Sequence, residues 1–206
     1  MKAGISAREN GSDRRIGRYT FEEFKDLARS FHGYPAPGLL IGGFMVSLAR
    51  SRLPKDTLFE ALVETSKCLP DAVQILTPCS TGNRWMKVLD LGRYAVTLYD
   101  KFTGEGWRVH MDTTRLEAWP EIRSWFLKLK PKKDQDTARL FQEIEEAGPS
   151  YLGLQHVRID PSWLGKKESG GIATCPVCGE AYPEKHGATC RGCADGEPFE
   201  RGLRVL

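Results

Sequence analysis

Phe21, Phe24, Ala28 and Phe31 recur at intervals of three and four, the spacing that lines up apolar side chains on one face of a helix. Thr20 and Glu23 stand ahead of them as a capping-box pair and Gly33 follows, so the pattern predicts an amphipathic helix over residues 20–31. The next seven residues, His32-Gly33-Tyr34-Pro35-Ala36-Pro37-Gly38, form a rigid turn, and Pro37 suits the first position of a second helix. That second helix is apolar on nearly all sides. Gly38 and Gly42, one turn apart with Gly43 beside them, would let neighbouring elements approach closely, which predicts a helix at the centre of the core. Its apolar stretch of about 13 residues falls short of the ~20 that span a bilayer, so no membrane span is expected.

The period then changes. Phe59, Ala61, Val63 and Thr65 alternate with Leu58, Glu60, Leu62 and Glu64, which fits a strand and leaves a helix open. Pro70 and Asp71 start a short helix through Val73, Ile75 and Leu76, and the loop of residues 77–83 is dense in turn formers. Three strand-like runs at 85–89, 93–99 and 107–111, separated by turns at Gly92 and at Gly104 to Gly106, read as an antiparallel meander. Helical spacing returns at 121–129 and 136–147, Gly148-Pro149 closes it, and a short strand is expected at 155–159. The fold class is therefore α+β, mixed helices with an antiparallel sheet. Expected boundaries are a flexible N-terminus over 1–18, a core over 19–164, a glycine-rich linker over 165–171 and a small zinc-ribbon-like module over 172–206.

A chain of 206 residues has room for one well-filled core and one satellite. Hydrophobic residues at 40% and charged residues at 28% exclude a disordered chain. The first 18 residues contain Arg8, Arg14 and Arg15 and no apolar run, so a signal peptide is not expected and the cytoplasm is the expected location.

The C-terminal cysteines carry the clearest chemistry. Cys175-Pro176-Val177-Cys178 and Cys190-Arg191-Gly192-Cys193 are two C-x2-C knuckles, with eleven residues between Cys178 and Cys190. Two knuckles in one short segment offer four thiolates to a tetrahedral ion, and Gly179 and Gly192 ease the turns around sulfur. Zinc is the expected ion; a rubredoxin-like iron site and redox thiols are the alternatives, and His186 could stand in as a ligand. Four sulfurs leave no open position, so the zinc would be structural. With the thiolates and Zn2+ included, the formal charge of the whole chain drops from +3 to +1, and residues 172–206 carry −3. That excess of negative charge makes nucleic acid an unexpected partner. The lysines at 128, 130, 132 and 133 read as solvated surface. Tyr182, Pro183, Phe199 and residues 203–206 could dock on a protein partner.

Two further cysteines, Cys68 and Cys79, and His32 lie in the core region, where spacing alone says little. A buried cysteine is ordinarily a small hydrophobe and a histidine at a helix end a cap, yet His32 and Cys79 sit in turn-rich loops of the kind that collect functional residues. Here the chain resembles the FmdE family, named for a component of formylmethanofuran dehydrogenase. The resemblance is carried by residues 31–38 (FHGYPAPG), residues 63–74 (VETSKCLPDAVQ), residues 77–83 (TPCSTGN) and the finger segment 175–182 (CPVCGEAY). In that family the first motif is commonly H-G-H-x-C-P-G, whose histidines and cysteine look suited to hold a metal or reactive group. Tyr34 stands here in place of the second histidine and Ala36 in place of the cysteine. What remains is His32, Cys68 and Cys79, which could form an altered site or hold a second metal ion if the fold gathers them. The resemblance further implies an α+β core and a homodimer with intertwined subunits. It points to a metal-binding accessory protein. Nothing in the chain resembles a pterin-binding domain, a ferredoxin-type cluster motif or a phosphate loop, so no dehydrogenase reaction by this chain alone is expected. An enzyme using Cys79 as nucleophile with His32 as base, and a regulator or adaptor working through the finger, are the alternative readings.

Overall fold

The structure is a computed structural model describing residues 14–165 and 170–198. The expected features at residues 1–13, most of the linker, and the docking residues Phe199 and 203–206 lie outside the described residues. The chain divides into two compact units, Met1–Leu164 and Gly165–Leu206.

In the first unit α1 spans Phe21–His32 and begins at the capping box read from the sequence. The Glu23 N–H donates to Thr20 Oγ1 at 3.2 Å and the Thr20 N–H to Glu23 Oε2 at 2.8 Å, satisfying two helix-end donors. Gly33 closes the helix in the left-handed region at φ +88°. Phe21, Phe24 and Ala28 are buried, but Phe31 at the end of the stripe is 55% exposed. The helix α2 spans Pro37–Arg52, and every residue from Gly38 to Val46 is buried. Its glycines are needed for proximity. A Cβ on Gly43 would meet Phe24 Cε1 of α1 at 2.5 Å, and one on Gly42 would meet Leu69 Cδ1 at 2.9 Å. The folded unit also starts earlier than residue 19: Ile16 is fully buried and bridges Tyr19 through paired backbone hydrogen bonds.

The element β1, Phe59–Val63, is a strand, which settles the choice left open by its alternation. It is followed by α3 (Leu69–Leu76), β2 (Met86–Val88), β3 (Ala95–Asp100) and β4 (Glu105–Met111), then α4 (Pro120–Phe126), α5 (Thr137–Ala147) and β5 (Leu152–Arg158). The five strands form one sheet in the order β2-β1-β3-β4-β5. Three consecutive strands do not make the expected meander. Instead β1 lies between β2 and β3, parallel to β2 with Ala61 opposite Met86 and antiparallel to β3 with Ala61 opposite Leu98. The reason is α3, which carries the chain across the sheet between β1 and β2, and a crossover of this kind returns a strand in the same direction. No helix among the described residues is long and apolar enough to cross a membrane.

The path from β2 back to β3 then passes the end of β1. Leu89 donates its N–H to the Val63 carbonyl, and Leu91 and Arg93 donate theirs to the Glu64 carbonyl. The Glu64 side chain, 3% exposed, fastens this crossing. Arg108 Nε and Nη2 on β4 donate to its two oxygens at 2.6 and 2.9 Å, and Arg93 Nε lies 2.6 Å from Oε2. A second buried carboxylate, Glu143 of α5, accepts from the Glu121 and Ile122 N–H groups at 2.9 and 3.1 Å, capping α4 from a neighbouring helix. The far end of α4 closes with Leu129 N–H donating to Ser124 O and Lys128 N–H to Trp125 O, a Schellman arrangement. Lys128 fills the left-handed position at φ +54°, where a residue with a Cβ costs about 1 kcal/mol relative to glycine.

Burial raises the Glu64 pKa, but Arg108 and Arg93 outweigh it and hold the carboxyl below its ordinary value. A lowered carboxyl pKa stabilises the fold above the unfolded-state pKa and loses that contribution as pH falls through the folded-state value. Glu64→Gln is therefore expected to cost about 3 kcal/mol at pH 7 and progressively less in acid. Urea unfolding followed by tryptophan fluorescence checks this, since all five tryptophans lie in the first unit.

Candidate zinc centre and core cleft

The second unit has almost no core. Among its described residues only Cys175 and Tyr182 are buried. Strands β6 (Ile172–Thr174) and β7 (Ala181–Pro183) form an antiparallel hairpin that carries the first knuckle in its loop. Gly179 takes φ +80° there and donates its N–H to the Cys175 carbonyl at 2.8 Å. The second knuckle opens a short helix, α6 (Arg191–Asp195), with Cys190 at its N-cap and Cys193 within its first turn. Gly192 lies inside that helix and is not required for a turn, contrary to the expectation from sequence. Placing one knuckle in a hairpin and the other at a helix start refines the ribbon-like expectation.

The ligand sulfurs of Cys175, Cys178, Cys190 and Cys193 all lie within 4.8 Å of one another, and His186 is not part of the group. Cys178 Sγ and Cys190 Sγ are 3.7 Å apart, against an edge of about 3.8 Å for a tetrahedron with Zn–S bonds near 2.3 Å. Backbone N–H groups of Cys190 and Cys178 directed at Cys175 Sγ pull its thiol pKa down to about 6, so it is already poised as a thiolate ligand. The donor set and its spacing fit one Zn2+ with no position left for substrate.

The three core candidates are not gathered in the same way. His32 ends α1 and pairs through Nδ1 with Asp71 Oδ2 on α3 at 2.6 Å. Tyr34 stands beside it with ring centroids 5.1 Å apart. Cys79 is fully buried, its sulfur 3.7 Å from the Phe59 carbonyl, and burial pushes its thiol up to about 11. His32 and Cys79 do not hydrogen-bond to each other. Cys68 is half-buried at the start of α3 with φ +49°, next to Gly38 and Tyr94. Burial raises its pKa as well. The four finger cysteines are the only group of three or more metal-type donors among the described residues, so His32, Cys68 and Cys79 do not make a single ligand set.

What the core does assemble is a cleft of about 1280 Å³. The loop that resembles the family motif forms one wall through Tyr34, Ala36 and Gly38, and Cys68 and Tyr94 lie beside it. Tyr94 Oη donates to the Gly38 carbonyl at 2.6 Å. The rest of the lining comes from α4, the loop after it and α5, including Trp125, Lys128, Lys132 and Phe141, and Phe126 of α4 meets the Tyr94 ring edge-on at 6.3 Å. Sequence reasoning missed this part of the lining. The lysines read from the sequence as solvated surface, and Lys128, Lys130 and Lys132 are exposed in the fold; spacing along the chain does not record that they line a cavity with Tyr34.

Fold and site together define an α+β domain with a large cleft, joined to a four-cysteine zinc finger. Residues 31–159 match the family described as "FmdE, Molybdenum formylmethanofuran dehydrogenase operon", and residues 166–200 match the FmdE treble clef zinc finger. The chain belongs to the FmdE family. It is 52% identical to a tungsten formylmethanofuran dehydrogenase FmdE-like protein from Syntrophus aciditrophicus whose crystal structure superposes with a TM-score of 0.85, covering 92% of this chain and 100% of that one. It is also 30% identical over 173 residues to a probable S-adenosyl-L-methionine-binding protein of Archaeoglobus fulgidus, covering 74% of this chain and 47% of that relative's length.

Two outcomes are expected. Chelation of the metal should unfold the finger, seen as release of four titratable thiols, while the tryptophan emission of the first unit stays unchanged. Cys79, with about one thiol in a thousand ionised at pH 8, should resist iodoacetamide until the protein is denatured, as read by peptide mass mapping.

Proposed function

We propose that this chain is a zinc-containing accessory protein of the FmdE family in which the finger is a structural element and the core cleft is the working surface. The observation that carries this reading is the convergence of the family's loop motif, residues 34–38, with Cys68 on the wall of one large cleft. The closed set of four sulfurs supports a structural finger, because zinc chemistry on a substrate needs an open coordination position. The Archaeoglobus relative is a probable S-adenosyl-L-methionine-binding protein, which is in keeping with a core that takes up a small ligand.

This reading includes no dehydrogenase activity of the chain by itself. Location in the cytoplasm and a homodimer belong to it as proposals drawn from the sequence and from the family. The alternative of a Cys79 nucleophile with a His32 base has little support, since His32 is engaged by Asp71 and the Cys79 thiol is held protonated. A finger acting as an RNA adaptor is disfavoured by the module's negative charge once its metal is bound.

Metal analysis by mass spectrometry on the wild type, Cys79→Ser and Cys178→Ser tests the assignment. One zinc per chain is expected in the wild type and in Cys79→Ser, and its loss in Cys178→Ser. A second metal in the wild type that disappears in Cys79→Ser would overturn it in favour of a core metal site.

A further inference from the structure

The core cleft has a chemical character of its own. Its walls are aromatic, from Tyr34, Tyr94, Trp125, Phe126 and Phe141. Its rim carries five cations, Lys67, Arg93, Lys128, Lys130 and Lys132, against one carboxylate, Asp90. Two of those cations are already engaged, Arg93 by Glu64 at 2.6 Å and Lys130 by Glu121 at 3.0 Å, while Ser66 donates to Asp90 at 2.7 Å. Lys67, Lys128 and Lys132 have no acidic partner among the described residues. These three lysines are exposed along a cavity whose other lining is largely apolar, and a bound anion would meet their positive charge there.

Backbone strain collects at the same place. Of the three non-glycine residues with left-handed φ among those described, two, Cys68 and Lys128, line this cleft. Glycine is the ordinary residue at the position Lys128 occupies, so the chain keeps a lysine there at a conformational cost.

We infer that the cleft binds a small organic anion with a flat aromatic or apolar body. The body lies against Tyr34, Trp125 and Phe141, and the anionic group meets Lys128 and Lys132. The inference rests on the reading of the core as the working surface and adds the class of ligand that surface takes. A purely apolar occupant would leave the cationic rim unused, and a simple inorganic anion would leave the aromatic walls exposed to water.

Fluorescence titration of the full-length, zinc-loaded protein with 8-anilinonaphthalene-1-sulfonate and with its uncharged relative N-phenyl-1-naphthylamine tests this. Saturable, salt-sensitive binding of one sulfonate probe per chain is expected, tighter than the neutral probe. Lys128→Gly combined with Lys132→Gln should weaken the sulfonate about tenfold and leave the neutral probe unchanged, and Lys101→Gln, away from the cleft, should change neither. Lys128→Gly alone should melt no lower than the wild type, which separates a binding role from a structural one. Equal affinity for both probes, or no effect of the double change on the sulfonate, would overturn the anion preference while leaving the core as a ligand site. Binding of neither probe would overturn both readings, and if the lysine changes then also shift the monomer–dimer balance in sedimentation, the cleft is an interface between two copies.

Discussion

The architecture of the first unit depends on one helix whose first half has no face to offer water. From Gly38 to Val46 every residue of α2 is buried, and that half must be covered on all sides. It packs against α1, α3, α5 and the strands β3 and β4. Each fully buried Leu, Ile or Met side chain contributes about 1.5–3 kcal/mol, so this helix supplies much of the driving force for folding. Gly42 and Gly43 permit the packing, since a methyl group at either would collide with α3 or α1. The same demand brings the start of α2, with its Pro and Gly residues, against Cys68 and Tyr94, and that contact makes one wall of the cleft.

Around this helix the polar groups are satisfied by pairs from distant elements. Glu64 holds the chain where it passes the end of β1, and Glu143 caps α4. Each is a buried carboxylate that would be costly alone and is tolerable because charged or N–H partners converge on it. The finger is held together in the opposite way. With only Cys175 and Tyr182 buried among its described residues, it has too little apolar contact to fold by burial, and a metal on its four sulfurs would supply the missing free energy. One chain thus combines a unit organised from its interior with a unit organised around a metal site.

The loop after α1 departs from the family pattern at two positions. In the family pattern the loop after α1 would present a histidine and a cysteine, while here it presents Tyr34 and Ala36. An aromatic ring and a methyl group make an apolar wall rather than a ligand set, and the lysines that also line the cleft supply a charge that a cationic metal would not favour.

Local signals carried a good part of this protein. The capping box at Thr20 and Glu23, the glycine stop at Gly33, the buried character of α2 and the two cysteine knuckles were all legible, because each depends on residues within a few positions of one another. The α+β class and the zinc site followed from them. Strand order was not legible: β2 and β3 are consecutive runs with a turn between, and only the crossover through α3 and the pairing of β1 with both placed them apart. Nor could spacing say that Cys79 is sealed beneath β1 while Cys68 faces a cleft. Nor could it say that Lys128, Lys130 and Lys132, exposed as a solvated surface should be, line the same cavity as Tyr34. Helices, their caps and the metal-binding cysteines could thus be read along the chain, since short-range spacing controls both periodic burial and chelation. Which distant side chains share a cavity emerged only in three dimensions, because packing around α2 sets it and no pattern along the chain records that packing.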